Sequence, residues 1–357
     1  MLENKRVVST MKKITIAVVI TVVLVGAIYK LAVDTEAGQN FLLDRALSAR
    51  MVQPPVSEFS GLEVMVCGSS SPLPDPSRAQ ACIMVRAGDR IFLVDAGSGS
   101  AEVLRLEGVP MQLIGTILLT HFHSDHISAI ADVNLGSWVA GRPARLQIVG
   151  PEGVDSVVAG FNLAYGLDRS YRTAHHGEDF LPSALGALQA QTITPGVIYA
   201  EDELTITAFE VDHAPISPAV GYRFDYMGRS VVVTGDTVVT KGIEVAAKDA
   251  DLLLTDALSH DLINAMSEGA AAGGMDRGAT ILKDIMDYHA DTKNIGKMAA
   301  AAGVGQVAFY HLVPPVQNVV MENIFMRGVP SDTILTHDGM RFLLPAGSDV
   351  LEIVEKN

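Results

Sequence analysis

Cysteine is nearly missing from this chain: Cys67 and Cys82 are the only two in 357 residues. Neither has the spacing of a metal ligand, and two thiols exclude the disulfide-dense scaffolds of small secreted domains. They could pair in an oxidising compartment or stay as buried free thiols; the sequence leaves both open. Basic residues are also scarce, with 26 Lys and Arg against 41 Asp and Glu. The imbalance is sharper than the total suggests. The first 34 residues hold five basic and two acidic side chains, leaving 21 against 39 in the rest. A body that acidic is a poor general platform for nucleic-acid phosphates. Low-complexity stretches and repeats of solenoid or propeller period are missing too, so the chain reads as a globular protein with a sizeable core.

The one long apolar run lies at the N-terminus. Lys5, Arg6, Lys12 and Lys13 precede ITIAVVITVVLVGAIY, which is free of charge from Ile14 to Tyr29. Adding Leu31 to Val33, with Lys30 snorkelling, brings it to the length of a membrane-spanning helix. The basic flank is expected to stay in the cytoplasm and the remainder to face outward. A cleaved signal peptide is the alternative, but no A-x-A site follows the run. The expected organisation is a basic tail over 1–13, a transmembrane signal anchor over 14–33, a stalk over 34–60 that includes Gln53-Pro54-Pro55, and one compact domain over 61–357.

Within that domain, strand-like and helix-like segments alternate. LEVMVCG, the two halves of ACIMVRAGDRIFLVDAG, IGTILLT and RLQIVG read as strands; SAEVLRLEG and VDSVVAGFNLAYG read as helices. The second half repeats the pattern. LTITAFEVDH, AVGYRFDYMG, RSVVVTGDT and DLLLTDAL are strands, with a hairpin turn over Asp225 to Gly228. ATILKDIMDY and NIGKMAAAAG are helices, the second closed by Gly303, and VGQVAFYHL and TILTHDGMRFLLP complete the sheet. Strands followed by helices, twice over, predict an α/β fold with four layers, an αββα sandwich.

Three of the ten histidines fall within THFHSDH, directly after a strand-like apolar run. Neutral imidazole and carboxylate are the donors that suit divalent zinc. His121 and His123, two residues apart, can converge from extended backbone, while Asp125 and His126 can face a second ion. His213, Asp236 and His311 each stand where an apolar strand gives way to a loop, positions that gather at one edge of a sandwich.

At these residues the chain resembles the metallo-β-lactamase-fold hydrolases. CGSSSPLPDPSRAQACIMV and FLVDAGSGS resemble the opening strands of the ribonuclease-Z-like and arylsulfatase-like branch; HAPISPAVGYRF, TGDT and FYHLVPP resemble its later motifs. The resemblance covers about residues 61 to 345. It implies two metal ions, zinc foremost with manganese or iron as alternatives. One would be held by His121, His123 and His213, the other by Asp125, His126 and His311, with Asp236 bridging. His289 in DYHADTKNIG resembles the branch's extra histidine and would be the general acid, making His289, Asp125 and Asp236 the catalytic set. The branch often has His-Glu-Ala after a buried strand. Here the segment is Thr255-Asp256-Ala257, so a supporting partner is altered. Asp95 is expected to support the site by hydrogen bonding. His175 and His176 read as a solvated loop with the substrate entrance as alternative, and His260, His337 and Trp138 read as structural.

The implied activity is hydrolysis of phosphodiesters or sulfate esters by a metal-bound hydroxide, on a small anionic ester at the outer face of the cytoplasmic membrane. β-Lactam or lactone hydrolysis is the alternative on the same metals, and a non-enzymatic binding module is weighed against both. Transfer-RNA processing ranks lower, because the interval from GYRF to TGDT has no room for a long substrate-gripping arm. The membrane is the expected partner through the N-terminal helix. Nucleic acid is not expected, and the oligomeric state, a homodimer included, is open.

Overall fold

The computed structural model describes residues 2–51 and 59–355. Met1 and the Gln53-Pro54-Pro55 part of the expected stalk lie outside the described residues. The chain divides into two compact units, Met1–Ser57 and Glu58–Asn357.

The first unit is helical, over Leu2–Asp34 and Glu36–Met51. Met11–Asp34 has a mean hydropathy of 2.5 over its most apolar window and buries none of it within the protein. Its 24 residues rise about 36 Å, enough to cross a hydrocarbon core of about 30 Å. The hydroxyls of Thr15 and Thr21 donate to the carbonyls of Met11 and Ala17, each at 2.9 Å. Neither hydroxyl therefore needs water, which suits a helix in lipid.

In the second unit the strands are β1 (Gly61–Gly68), β2 (Cys82–Ala87), β3 (Arg90–Val94), β4 (Ile114–Leu118), β5 (Gln147–Gly150), β6 (Gln189–Thr192), β7 (Gly196–Glu201), β8 (Leu204–Glu210), β9 (Val220–Tyr226), β10 (Arg229–Val233), β11 (Leu252–Leu258), β12 (Gln306–Val313), β13 (Ile334–Leu335), β14 (Arg341–Pro345) and β15 (Glu352–Val354). They form an eight-stranded sheet in the order β15-β14-β1-β2-β3-β4-β5-β6 and a seven-stranded sheet in the order β13-β12-β11-β10-β9-β8-β7.

Strand periodicity explains the layers. Along β1, Leu62, Val64 and Val66 point to the core between the sheets, while Met65 and Cys67 point to the opposite face. Tyr222, Phe224, Val231 and Leu254 meet that core from the second sheet. Both faces are buried, so the strands read as nearly continuous apolar runs. Outside the first sheet pack the helices Ser100–Leu106, Ile130–Val139 and Val154–Ala164. Lys241–Ala246, Thr292–Ala302 and Val319–Phe325 cover the second. This is the expected αββα sandwich. Each fully buried Leu or Phe contributes about 1.5–3 kcal/mol, so the sheets form a stiff platform for loops at their edge.

The apolar stretch after the histidines forms two helices, Ser124–Ile127 and Ile130–Val139. It breaks because Ala96 clamps the chain, donating to the His126 carbonyl at 2.7 Å and accepting from Ala129 at 2.8 Å. His175 and His176 are in the last turn of a helix, Gly166–His176, not in a loop. TILTHDGMRFLLP divides between the sheets, β13 joining the second and β14 the first. Cys67 and Cys82 are disulfide-bonded across β1 and β2.

Candidate metal centre

The site forms where strands of both sheets end. Thr120, two residues past β4, gives its amide and hydroxyl to the Asp95 carboxylate, both at 2.8 Å. Its carbonyl accepts from the Val220 amide at 3.0 Å. The Tyr222 hydroxyl donates to the Leu119 carbonyl at 2.6 Å. The histidine loop of one sheet is thereby tied to β9 of the other. Past β10, Gly235 adopts φ +66°, and a Cβ there would meet Thr120 at 2.7 Å. Only glycine brings Asp236 this close to the loop.

His311 is not at a strand end. It lies inside β12, at a bulge where Asp256 alone faces Tyr310 and His311, between the pairs Thr255–Phe309 and Ala257–Leu312. Its φ of 45° is a left-handed conformation that a non-glycine residue rarely holds. The bulge turns His311 and Asp256 toward the centre. Asp95 likewise has φ 62°. Strain of this kind costs about 1–3 kcal/mol and is held in place by the surrounding hydrogen bonds.

The seven expected ligands come together in two groups. Donor atoms of His121, His123, His213 and Asp236 lie within 4.8 Å of one another, as do those of Asp125, His126 and His311. Asp236 faces both groups. One carboxylate oxygen is 3.3 Å from His126 Nε2, 3.8 Å from His213 Nε2 and 3.9 Å from His121 Nε2, and the other is 3.4 Å from His311 Nδ1. All except His123 are buried.

Hydrogen bonds on the far side of the rings decide which nitrogen each presents. His126 Nδ1 is 2.8 Å from Asp95, His213 Nδ1 is 2.9 Å from the Tyr288 carbonyl, and His121 Nδ1 is 3.1 Å from the Thr120 hydroxyl. With a proton on each Nδ1, the Nε2 lone pairs point inward. His126 Nε2, His213 Nε2, Asp236 Oδ1 and His311 Nδ1 are buried with no hydrogen-bond partner among the described residues. Buried polar atoms left this way are costly unless a cation completes them. The donor set therefore fits two divalent ions with a carboxylate between them.

The electrostatics separate the two groups. Burial holds the pKa values of His121, His123 and His213 below the usual histidine range, so these rings stay neutral and ready to bind. Burial also works to depress His126 and His311. For His126 it is outweighed by Asp236, Asp95 and Asp125, and for His311 by Asp236 and the hydrogen bond to Asp125; both pKa values are raised. Burial opposes ionisation of Asp236 and Asp125 as well, but the surrounding histidines hold both below the usual carboxylate range.

His289 is buried beside the two groups, with Nδ1 2.9 Å from Asp256 and 3.9 Å from Asp236. Donor atoms of Asp236, His289 and His311 also form a possible ligand group. However, Asp256 occupies His289 Nδ1, which leaves Nε2 as the ring nitrogen for other work. Asp256 is the residue that sequence reasoning missed. Its place was visible as a departure, Thr255-Asp256-Ala257, but the partner it would find was not. Asp95 takes the supporting role expected of it. His175 and His176 are exposed, and His260 and His337 are not among the grouped ligands. Trp138 is buried and donates to the Pro182 carbonyl at 3.2 Å. It borders a cavity of about 320 Å³ whose lining includes no ligand residue.

Comparison with known proteins shows the family. The family described as "Beta-lactamase superfamily domain" matches residues 90–312. A ribonuclease Z from Mycolicibacterium gilvum is 36% identical over 259 residues, covering 72% of this chain and 86% of that protein. A ribonuclease Z from Mycobacterium marinum is 35% identical, covering 71% and 88%. Among solved structures, the metallo-β-lactamase-fold protein YhfI from Bacillus subtilis superposes with a TM-score of 0.56 at 19% identity, covering 78% of this chain and 98% of its own. The short form of human tRNase Z gives 0.56 at 17% identity, with the same coverages.

Proposed function

Because the chain belongs to the β-lactamase superfamily and is a hydrolase of the metallo-β-lactamase fold, we propose that it is a dinuclear zinc enzyme that cleaves phosphodiesters or sulfate esters. Bound divalent cations supply Lewis acidity, making water a nucleophile near neutral pH and offsetting negative charge on the ester. The chain's own residues do the rest. Asp125 and Asp236 orient the reacting water beside the ester, and Asp236 holds both halves of the site together. Asp95, the Tyr288 carbonyl and Thr120 fix the imidazole tautomers.

His289 carries the reading. Asp256 fixes its Nδ1, so Nε2 can deliver a proton to the departing oxygen. Esters with basic leaving groups need such a donor. Phosphodiesters are preferred to sulfate esters because the relatives named above carry the name ribonuclease Z.

That name also supports a second reading, endonucleolytic cleavage of RNA. Two features weigh against it. β9 and β10 are joined by the two-residue turn Met227-Gly228, and the body is strongly acidic. The apolar N-terminal helix and its basic flank support a single-pass anchor with the catalytic domain outside the cytoplasm; secretion after signal cleavage is the alternative. A buried disulfide, which persists in oxidising compartments, supports either form of export. A small anionic ester is the expected partner. The test is a panel of phosphodiester, sulfate ester, lactone, β-lactam and pre-tRNA substrates on the full-length chain in detergent. Turnover of β-lactam or pre-tRNA alone overturns the assignment.

A further inference from the structure

Tyr288 adjoins the site, and its side chain has no task in the reading above. Its backbone carbonyl accepts from His213 Nδ1 at 2.9 Å, which pins the residue to the centre. Its ring stands nearly perpendicular to His213, with centroids 5.1 Å apart, and lies 4.9 Å from the His289 ring. The ring is only half-buried, and its hydroxyl has no hydrogen-bond partner among the described residues. A tyrosine with a purely structural role is usually buried with its hydroxyl paired. Here the half-buried ring stands directly beside the proposed proton donor.

We infer that Tyr288 determines specificity: its ring is the surface on which the body of the substrate's leaving group packs, selecting esters whose departing alcohol is planar and aryl- or nucleoside-like over small alkyl esters. The inference rests on the assignment of His289 as general acid. If Nε2 of His289 reaches the departing oxygen, the group attached to that oxygen lies beside His289, and the Tyr288 ring, 4.9 Å from the His289 ring, is within its reach. Stacked or edge-on aromatic contacts add to the gain from excluding water, whereas an ethyl group has little surface to offer.

Binding and turnover separate the two assignments. Dissociation constants for diphenyl phosphate and diethyl phosphate would be measured by calorimetry on the zinc-loaded full-length protein. KM and kcat would be measured for phosphodiesters that release phenol or ethanol. The wild type should bind diphenyl phosphate about tenfold more tightly than diethyl phosphate. Tyr288→Ala should remove most of that gap and raise KM for the phenol-releasing ester more than for the ethanol-releasing one, with zinc retained. Tyr288→Phe should behave as wild type. Tyr288→Leu, which keeps bulk without a planar face, should narrow the gap and serves if the alanine variant misfolds. An undiminished gap in the alanine and leucine variants overturns the inference. So does equal weakening of both ligands, or loss of zinc, since the ring would then only buttress His213. A Tyr288-dependent binding gap without phosphodiester turnover would count against the proposed reaction while upholding Tyr288 as the contact surface.

Discussion

Asp256 Oδ2 lies 2.9 Å from His289 Nδ1, and both side chains are buried at the edge of the two candidate ligand groups. A buried carboxylate hydrogen-bonded to one ring nitrogen fixes the orientation of an imidazole and the nitrogen it presents on its other side. The pair is what distinguishes this site from a plain metal cage.

Removing either member should therefore reveal leaving-group chemistry. His289→Ala should keep the metals and slow esters with basic leaving groups by about 10²–10⁴. Nitrophenyl esters, whose leaving group departs without a proton, should lose far less. Asp256→Asn should show the same selectivity in milder form. The check is kcat/KM for an alkyl and a nitrophenyl phosphodiester on one preparation. An equal loss on both would mean that His289 acts by position or charge, and loss of metal would make it a ligand.

Ligand substitutions should divide by group. His121→Ala should lower the metal count by about one ion, and Asp236→Ala, which faces both groups, should lower it further; both should abolish turnover. Elemental analysis of the purified variants decides this. An unchanged count in both would refute the site assignment.

Without metal, stability above about pH 6.5 should depend on pH in a direction set by His126 and His311, because the depressed histidines are already neutral there. Both have raised folded-state pKa values. Their contribution is fully present below the unfolded histidine value of about 6.5 and is lost as pH rises through the folded values. The Tm of chelator-treated protein should therefore fall as pH rises above about 6.5. The gain in Tm on adding zinc should grow over the same range, because the ions take the place of those protons. Scanning calorimetry with and without chelator checks both trends. A metal-free Tm that climbs as pH rises above about 6.5 would contradict them.

Export has its own test. If the body matures outside the cytoplasm, full-length protein denatured without reductant should expose no free thiol. A reporter fused after Asn357 should be active only beyond the membrane. Two titratable thiols together with a cytoplasmic reporter would overturn the outward topology.

Much of this was legible from residue order. Strands buried on both faces are apolar throughout, so the αββα layering followed from runs such as VMV and LLL. The seven candidate ligands were legible because a dense histidine motif and the ends of apolar runs mark them, although His311 lies inside its strand. Other features depend on contacts between distant segments. The bulge that re-aims His311 is a register slip between β11 and β12, invisible in either strand alone. Asp256 read as a lost partner because its hydrogen bond spans 33 residues. The helix Gly166–His176 was missed because its polar face resembles a loop when its apolar positions are exposed, as Leu167 and Tyr171 are.

The most direct measurement is a titration of zinc into chelator-treated full-length protein, following hydrolysis of a nitrophenyl phosphodiester. A rate that rises to a plateau at two equivalents per chain is expected from two ligand groups sharing Asp236. A plateau at one equivalent, or no hydrolysis at any zinc level, would contradict a dinuclear phosphodiesterase.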